Sequence, residues 1–237
     1  MKTQFIFIFF FLSLASKNLV AQDDAQFFED KKGFIGIALG PALPTGDYAD
    51  ESGGAAETGL HLGLDFGYRF GENFGLAASF VSQANPVSES IARELAEDLA
   101  NDGISNETEI DAWSTGGIFV GPMYSIPLED KLVLDIFAMG GLIVGSSPEI
   151  KVTLTDTNEE ILFESADGSG FGGHFGSQLR LQLGNTVSLG GGVRYLTGTL
   201  DLEEGSVTAS GINDTVDYDD QNVGSFNVNV SLLFNLN

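Results

Sequence analysis

Cysteine is absent from this chain of 237 residues, which excludes disulfide bonds, thiolate chemistry and thiolate metal sites. Positive charge is scarce, because only 10 lysine and arginine residues accompany 34 aspartate and glutamate residues, for a formal net charge of -24. A nucleic-acid-binding protein needs the opposite balance, since it must neutralise phosphates. The composition therefore argues against nucleic acid as a partner.

Long hydrophobic runs are also lacking. No segment of the chain has the roughly 20 apolar residues that a transmembrane helix requires. At the N-terminus, Lys2 precedes an apolar run from Phe5 to Ala15, and a short segment follows it to Ala21. A basic residue, a short apolar run and a final small residue are typical of a secretory signal peptide. We therefore predict a signal peptide over residues 1–21 and an exported protein.

Glycine is abundant, with 31 residues, and large apolar side chains alternate with small or polar ones. In residues 60–70, every second residue from Leu60 to Phe70 is large and apolar, and glycines and ionisable residues lie between them. A period of two indicates a β-strand. The same alternation occurs in eight segments, at residues 33–43, 59–70, 74–82, 114–126, 131–145, 170–184, 187–198 and 224–237.

These segments predict a membrane barrel. Most of them reach the 9 to 11 residues that a tilted strand needs to cross a bilayer, and closure leaves no unpaired strand edge in lipid. A soluble β-sandwich or lipocalin-like barrel would instead cover its surface with glycine, which is a poor strand former. We predict an all-β fold, an eight-stranded antiparallel up-and-down transmembrane β-barrel over residues 33–237, after a short periplasmic lead-in over residues 22–32.

The connections between the segments alternate strictly between short and long. The short ones are residues 71–73, 127–130 and 184–186, and the long ones are residues 44–58, 84–112, 146–169 and 199–222. Short periplasmic turns and four long extracellular loops are typical of outer-membrane barrels. Aromatic residues near the short turns predict an aromatic girdle on the periplasmic side of the barrel. It is formed by Tyr68, Phe70, Phe74, Tyr124 and Phe234.

Residues 149–165 contain two further short alternating runs around a Thr-Asn turn. Each run has about seven residues, too few to cross a bilayer. We predict that they continue the fifth and sixth strands above the membrane, and a ten-stranded barrel is the alternative.

Three stretches of this sequence resemble a known family: GPALPTGDYAD at residues 40–50, GPMYSIP at 121–127 and the terminal NVSLLFNLN. Together with the signal peptide, they resemble the small outer-membrane β-barrel proteins of OmpA/OmpX type, and more specifically the PorT-like outer membrane protein beta-barrel domain. The resemblance covers about residues 33–237. It implies a multi-pass protein of the bacterial outer membrane, in contact with outer-membrane lipids and inserted by the barrel-assembly machinery. Its motifs are architectural and imply neither catalytic residues nor a cofactor.

Seven ionisable side chains fall on the predicted inward face: His61, Asp65, Arg69, Asp135, His174, Arg180 and Arg194. Buried charges must pair or be hydrated. Asp135 and Arg180 lie at similar heights on adjacent strands and are predicted to pair directly, and Asp65 and Arg194 to meet across the lumen. We interpret the set as a polar core that fills a narrow lumen, with a gated or ion-conducting path as the alternative.

Catalysis would have to use one of only two histidines, and neither brings a serine two positions on as a nucleophile. His174, predicted near the outer rim, is the only candidate base. Asp167 and Ser169 precede it, but nothing in the sequence fixes their geometry. We therefore expect no enzyme activity, and a lipid-modifying or proteolytic outer-membrane enzyme is the alternative.

Most acidic residues lie in the long loops, with the densest cluster at Asp214, Asp217, Asp219 and Asp220. Such a cluster is usually a solvated surface. The alternative is a divalent cation site, because carboxylate oxygens are ligands that calcium prefers.

Loop two contains an apolar stripe at Ile91, Leu95 and Leu99, within residues 86–103. This spacing predicts an amphipathic helix outside the membrane, which either covers the barrel mouth or offers its stripe to an extracellular or co-encoded protein partner. The sequence as a whole predicts a structural or interaction role, in membrane integrity or loop-mediated partner binding. A small passive channel and the enzyme named above are the alternatives.

Overall fold

The computed structural model describes residues 31–88, 90–91, 106–155, 159–209 and 212–237. The predicted signal peptide and most of the predicted lead-in lie outside these ranges. A short 3-10 helix spans Gly46–Tyr48, and among the described residues no helix is long and apolar enough to cross a membrane. The strands in chain order are β1 (Gly33–Pro44), β2 (Gly59–Arg69), β3 (Phe74–Asn85), β4 (Asn106–Ile110), β5 (Trp113–Glu129), β6 (Leu132–Ser146), β7 (Ile150–Leu154), β8 (Glu159–Phe163), β9 (Asp167–Gln182), β10 (Val187–Leu202), β11 (Gly205–Ala209), β12 (Ile212–Val216) and β13 (Gln221–Leu236).

Eight of these strands close into a barrel in the order β1, β13, β10, β9, β6, β5, β3 and β2, and all neighbours are antiparallel. The eight-stranded barrel predicted from the alternating segments is therefore confirmed. Successive barrel strands along the chain are neighbours, so the connections are up-and-down. Closure pairs the first strand with the last, Ile35 opposite Phe234, and leaves the barrel without a free edge.

The alternation in the sequence separates an apolar exterior from a mixed interior. In β2, the side chains of His61, Asp65 and Arg69 are buried, whereas Leu60 and Leu64 are 56% and 48% exposed. The other barrel strands turn rows of Ile, Leu, Val and Phe outward in the same way. Water would not solvate such a continuous apolar wall favourably, so lipid is its natural surroundings.

Aromatic side chains mark the short-turn end of the barrel. Tyr68, Phe70, Phe74, Tyr124 and Phe234 all face outward, as the girdle prediction requires. Phe70 and Phe74 flank the β2–β3 turn and pack edge to face, with their ring centroids 5.8 Å apart. Aromatic rings at this depth occupy the boundary between hydrocarbon and headgroups.

The remaining five strands form a second sheet at the long-loop end, in the order β12, β11, β8, β7 and β4, which we call the loop sheet. The prediction for residues 149–165 is wrong in one respect. The two short runs form a hairpin, β7 and β8, that pairs with β4 and β11 and does not continue β6 and β9. Five-residue strands are too short to cross the membrane, so their backbone groups are paired outside it. The ten-stranded alternative is excluded.

The helix predicted within residues 86–103 falls outside the described residues, apart from its first part. Ile91 is described, and Leu95 and Leu99 are not. The helix and its docking therefore stay predictions.

Candidate functional site: the barrel interior and its mouth

All seven predicted ionisable residues lie inside the barrel, and none is more than 6% exposed. They lie there because each occupies an inward position of a barrel strand, along which side chains point alternately to lipid and to the lumen. Asp135 and Asp65 each form an ion pair with an arginine. Within the described part of the chain, the remaining three residues, His61, Arg69 and His174, form no ion pair with these carboxylates.

Arg69 closes the short-turn end. Its guanidinium donates to the carbonyl of Glu72 at 2.6 Å and to the carbonyl of Lys31 at 3.0 Å. A side chain on β2 thereby links the β2–β3 turn to the residues that lead into β1. Arg69 and Asp65 do not pair, which agrees with their separation of four residues along one strand.

Asp135 and Arg180 form the first buried ion pair. Arg180 Nε donates to Asp135 Oδ2 at 3.0 Å and its Nη2 donates to Oδ1 at 3.2 Å, and the Ser125 hydroxyl donates to Oδ1 at 2.6 Å. The guanidinium also lies over the Phe34 ring, 4.8 Å from its centroid. The carboxylate and guanidinium are thus compensated by several partners, as buried charges require.

Asp65 and Arg194 form the second buried ion pair, at mid-barrel. Arg194 Nη1 and Nη2 donate to the two carboxylate oxygens of Asp65 at 2.8 and 2.6 Å. Ser79 donates a further short hydrogen bond to Asp65, and Arg194 also donates to Gln178 Oε1 at 2.9 Å. This pair spans the lumen, because Asp65 lies on β2 and Arg194 on β10.

The long-loop half of the lumen is mixed, because the buried polar side chains of His61, Gln83 and Asn227 lie there beside apolar ones. Phe119, Ile143, Leu196 and Leu200 point inward there, are fully buried and belong to one continuous apolar cluster. The prediction of a polar core missed Ile143, Leu196 and Leu200. Their signal is present in the alternation, since they occupy inward positions in the long-loop halves of β6 and β10.

His174 lies at mid-barrel, and the prediction that placed it near the outer rim is wrong. It is opposite Met139, the centre of β6, in the strand register. Its ring packs against Phe119 and Phe137, with centroids 5.5 and 5.8 Å away, and neither ring nitrogen has a hydrogen-bond partner among the described residues. A general base must reach the proton that it removes, and this ring is fully buried between two phenyl groups.

Very little empty space remains between the two ion pairs. A cavity of about 20 Å³ there is lined by Asp65, Asp135, Arg194 and neighbouring side chains. That volume holds about one water molecule. The interior is therefore a packed core of mixed polar and apolar side chains.

A larger cavity of about 350 Å³ lies at the long-loop end, where the barrel opens beneath the loop sheet. We call it the mouth cavity. Its lining is mostly apolar, with Trp113 and Leu202 from the ends of barrel strands and Phe163 and Val216 from the loop sheet. Glu51 and Asp219 also line it, and both carboxylate residues are exposed.

Hydrogen bonds fix the first loop as one wall of the mouth cavity. Trp113 donates its indole N–H to the Gly54 carbonyl at 2.7 Å and packs edge to face on Tyr48, 5.7 Å between centroids. Burial raises the pKa of the Tyr48 hydroxyl well above its usual range, so Tyr48 stays neutral. Ala55 ends a turn in the left-handed region, with φ of 48°, and its backbone N–H donates to the Asp50 carbonyl at 2.9 Å.

The third and fourth loops form the opposite wall. Tyr218 donates its hydroxyl to the Glu164 carbonyl at 3.2 Å, and partial burial raises its pKa. The Glu164 N–H donates to the Ser206 carbonyl at 2.9 Å, and the Ser147 N–H donates to the Ala166 carbonyl at 2.8 Å. These bonds satisfy the polar groups that they join, and the same wall brings Phe163, Val216 and Asp219 to the cavity.

The acidic cluster of the fourth loop is exposed. Asp214 lies on β12, and Asp217, Asp219 and Asp220 lie in the segment that follows. Within the described residues, no three His, Asp or Glu side chains are grouped closely enough to hold a metal ion. The divalent cation site therefore stays a prediction.

Comparisons with known proteins give a fold and no family. No family model matches the chain, and no curated protein matches it. A major outer membrane protein from Thermus thermophilus aligns with a TM-score of 0.50 and 9% identity, over 86% of this chain and 98% of that one. Neisserial surface protein A aligns with a TM-score of 0.48 and 13% identity, over 86% and 97% of the two chains.

The outer membrane protease OmpT from Escherichia coli aligns with a TM-score of 0.47 and 8% identity, over 86% and 97% of the two chains. At these identities the likeness concerns the fold alone. The closed barrel, its apolar exterior and its alternating short and long connections are features of the structure itself. They make the chain a small eight-stranded β-barrel of the outer-membrane type.

Proposed function

We propose that this protein is an integral protein of the bacterial outer membrane whose barrel is a closed anchor and whose loop sheet serves a structural or interaction role. The filled lumen carries the proposal. From Arg69 through the two ion pairs to Leu200, inward side chains occupy the interior and leave space for about one water molecule between the ion pairs. A passive channel needs a continuous aqueous path.

The long-loop end supports the interaction part of the proposal. Loops that only close a barrel can be short, but here they build a five-stranded sheet with its own hairpins. Short periplasmic turns and long extracellular loops are the usual asymmetry of such barrels, so we place the loop sheet outside the cell. Its exposed residues and its end strands are then available to an extracellular or co-encoded partner protein.

We further propose that the chain carries a signal peptide over residues 1–21 and a PorT-like barrel domain. In this proposal the barrel-assembly machinery inserts the protein, and the protein has no enzyme activity. The acidic outer loops and the scarcity of basic residues fit a surface that faces solvent.

Single-channel recording tests the closed anchor. The protein without its signal peptide is reconstituted into a planar lipid bilayer, and the current is recorded at increasing voltage. We expect no discrete conductance steps. Reproducible steps of uniform size that appear only with the folded barrel would overturn the closed anchor and favour the small passive channel.

Replacement of the β7–β8 hairpin tests the interaction role. Residues 150–163 are exchanged for a short Gly-Ser linker, and the variant is expressed in a strain that lacks the native gene. We expect deletion of the gene to make the strain sensitive to detergents, and we expect the hairpin variant to insert its barrel without restoring resistance. A control variant carries the same linker in the turn at residues 184–186 and should restore resistance. Full restoration by the hairpin variant would contradict the proposal.

A further inference from the structure

We propose that the mouth cavity is a binding site for a small amphiphilic molecule with an apolar body and a cationic head. Its volume of about 350 Å³ falls within the range of small-molecule sites. It is separate from the filled lumen, so this proposal does not depend on whether the barrel conducts.

The apolar body is inferred from the lining. Trp113 and Phe163 supply aromatic surface, and Leu202 and Val216 supply aliphatic surface. The indole N–H of Trp113 is already bonded to the Gly54 carbonyl, and the Tyr218 hydroxyl to the Glu164 carbonyl. These groups have no hydrogen-bond donor left for a ligand. The main favourable contribution to the binding free energy is therefore the burial of apolar ligand surface.

The cationic head is inferred from the charges at the cavity. Glu51 and Asp219 line it, and none of its described lining residues is a lysine or an arginine. Glu51 accepts a hydrogen bond from the Ser90 hydroxyl at 3.0 Å, which fixes one of its oxygens near the cavity. Two carboxylates beside aromatic rings attract an amine or a quaternary ammonium group and repel an anion.

The walls are built before any ligand arrives. The first loop is tied to the start of the second, because Ser88 N–H donates to the Ala55 carbonyl at 2.9 Å and Glu57 N–H donates to the Pro86 carbonyl at 2.7 Å. The opposite wall is held by the Glu164–Ser206 and Ser147–Ala166 bonds. A preformed wall lowers the ordering cost of binding.

The single tryptophan of the chain, Trp113, provides the readout, since it lines the mouth cavity. The full mature protein in lipid nanodiscs is titrated with 4-phenylbutylamine, 4-phenylbutanol and 4-phenylbutyrate, which share one apolar body and differ in charge. We expect saturable changes in Trp113 fluorescence, with the amine binding about tenfold more tightly than the alcohol and the acid binding least.

Two variants separate the apolar contribution from the charge contribution. Glu51→Gln with Asp219→Asn should reduce the affinity for the amine to that for the alcohol and leave the alcohol unchanged. The matched control, Glu203→Gln with Glu204→Gln, removes the same charge from exposed positions outside the cavity lining and should keep the amine preference. Val216→Phe, which narrows the cavity, should weaken all three probes.

Three outcomes would overturn the proposal. No saturable change with any probe, in a protein whose Trp113 emission is native, would show that the cavity takes no such ligand or is filled by another part of the chain. Binding of the acid as tight as that of the amine would overturn the cationic head. An unchanged affinity of all probes for the Val216→Phe variant would place binding elsewhere.

Discussion

The Arg194 guanidinium donates hydrogen bonds to both carboxylate oxygens of Asp65 across the lumen, at 2.8 and 2.6 Å. Around the wall, β1 and β13 separate the strands that carry them. The pair therefore ties together parts of the wall that share no backbone hydrogen bonds. Because both side chains are almost fully buried, each charge depends on the other for compensation.

Loss of Arg194 should destabilise the barrel strongly. Arg194→Ala leaves the carboxylate of Asp65 buried without its charge partner, at a cost of about 3–5 kcal/mol in the free energy of unfolding. The measurement is urea-induced unfolding in lipid vesicles, followed by Trp113 fluorescence. The double variant Asp65→Asn with Arg194→Met removes both charges and should lose clearly less. An equal loss in the two variants would mean that unpaired charge is not the cause.

Conductance should appear only when both polar and apolar side chains of the lumen are truncated. Arg194→Ala removes one partner of the mid-barrel ion pair but leaves Phe119, Ile143 and Leu200 in the long-loop half. Planar-bilayer recording of this variant should therefore show no steps. Adding Phe119→Ala and Leu200→Ala to Arg194→Ala also truncates two large apolar side chains, and small steps are expected. Steps with Arg194→Ala alone would show that the mid-barrel ion pair is the whole barrier.

Gly67→Ala should lower stability by about 1–3 kcal/mol, because it overpacks the lumen. A methyl group at Gly67 would lie 2.5 Å from Phe34 Cε1, and the Phe34 ring is itself held beneath Arg180. Gly184→Ala, in a turn with nothing within 4 Å of the added carbon, is the control and should be near neutral. Equal unfolding midpoints in urea for the two variants would contradict the packing argument.

The pKa of Lys151 should depend on Glu160. The Glu160 carboxylate, 3.0 Å away, raises the pKa of Lys151 through a hydrogen bond and charge attraction, with smaller contributions from Glu109 and Glu149. Because the pKa is raised in the folded state, the stabilising contribution is complete at neutral pH and is lost as pH rises through that pKa.

NMR titration of the Lys151 side chain measures this dependence. Glu160→Gln should lower the Lys151 pKa, and Glu149→Gln should lower it less. The pair is exposed, with side-chain accessibilities of 36% and 55%, so unfolding stability should hardly change in either variant. A larger effect of Glu149→Gln than of Glu160→Gln would contradict the β7–β8 pairing that brings Lys151 and Glu160 together.

The barrel could be predicted from sequence because its rule is local. Each strand repeats the same two-residue alternation, and Leu60 to Phe70 already separate a lipid face from a lumen face. The two ion pairs follow from strand order and from counting residues from the short turns. These relationships need only neighbouring strands and their register.

The loop sheet and the mouth cavity could not be predicted in the same way. The pairing of β8 with β11 places Val207 opposite Phe163, although the two residues lie in different loops. No periodic pattern in the sequence predicts such a contact. The cavity depends on how Trp113, Phe163 and Val216 converge from three elements. The inward positions of Ile143 and Leu200 follow from the alternation, but the prediction of a polar core does not include them.

The loop sheet, unlike the barrel, ends in two strands that have no further neighbour among the described residues, β4 and β12. Open strands on molecules packed side by side in a membrane tend to join one another. Here β4 exposes Glu107 and Glu109, and β12 exposes Asp214. Two copies that approach along these strands bring like charges together, so these acidic residues oppose edge-to-edge pairing between neighbouring copies.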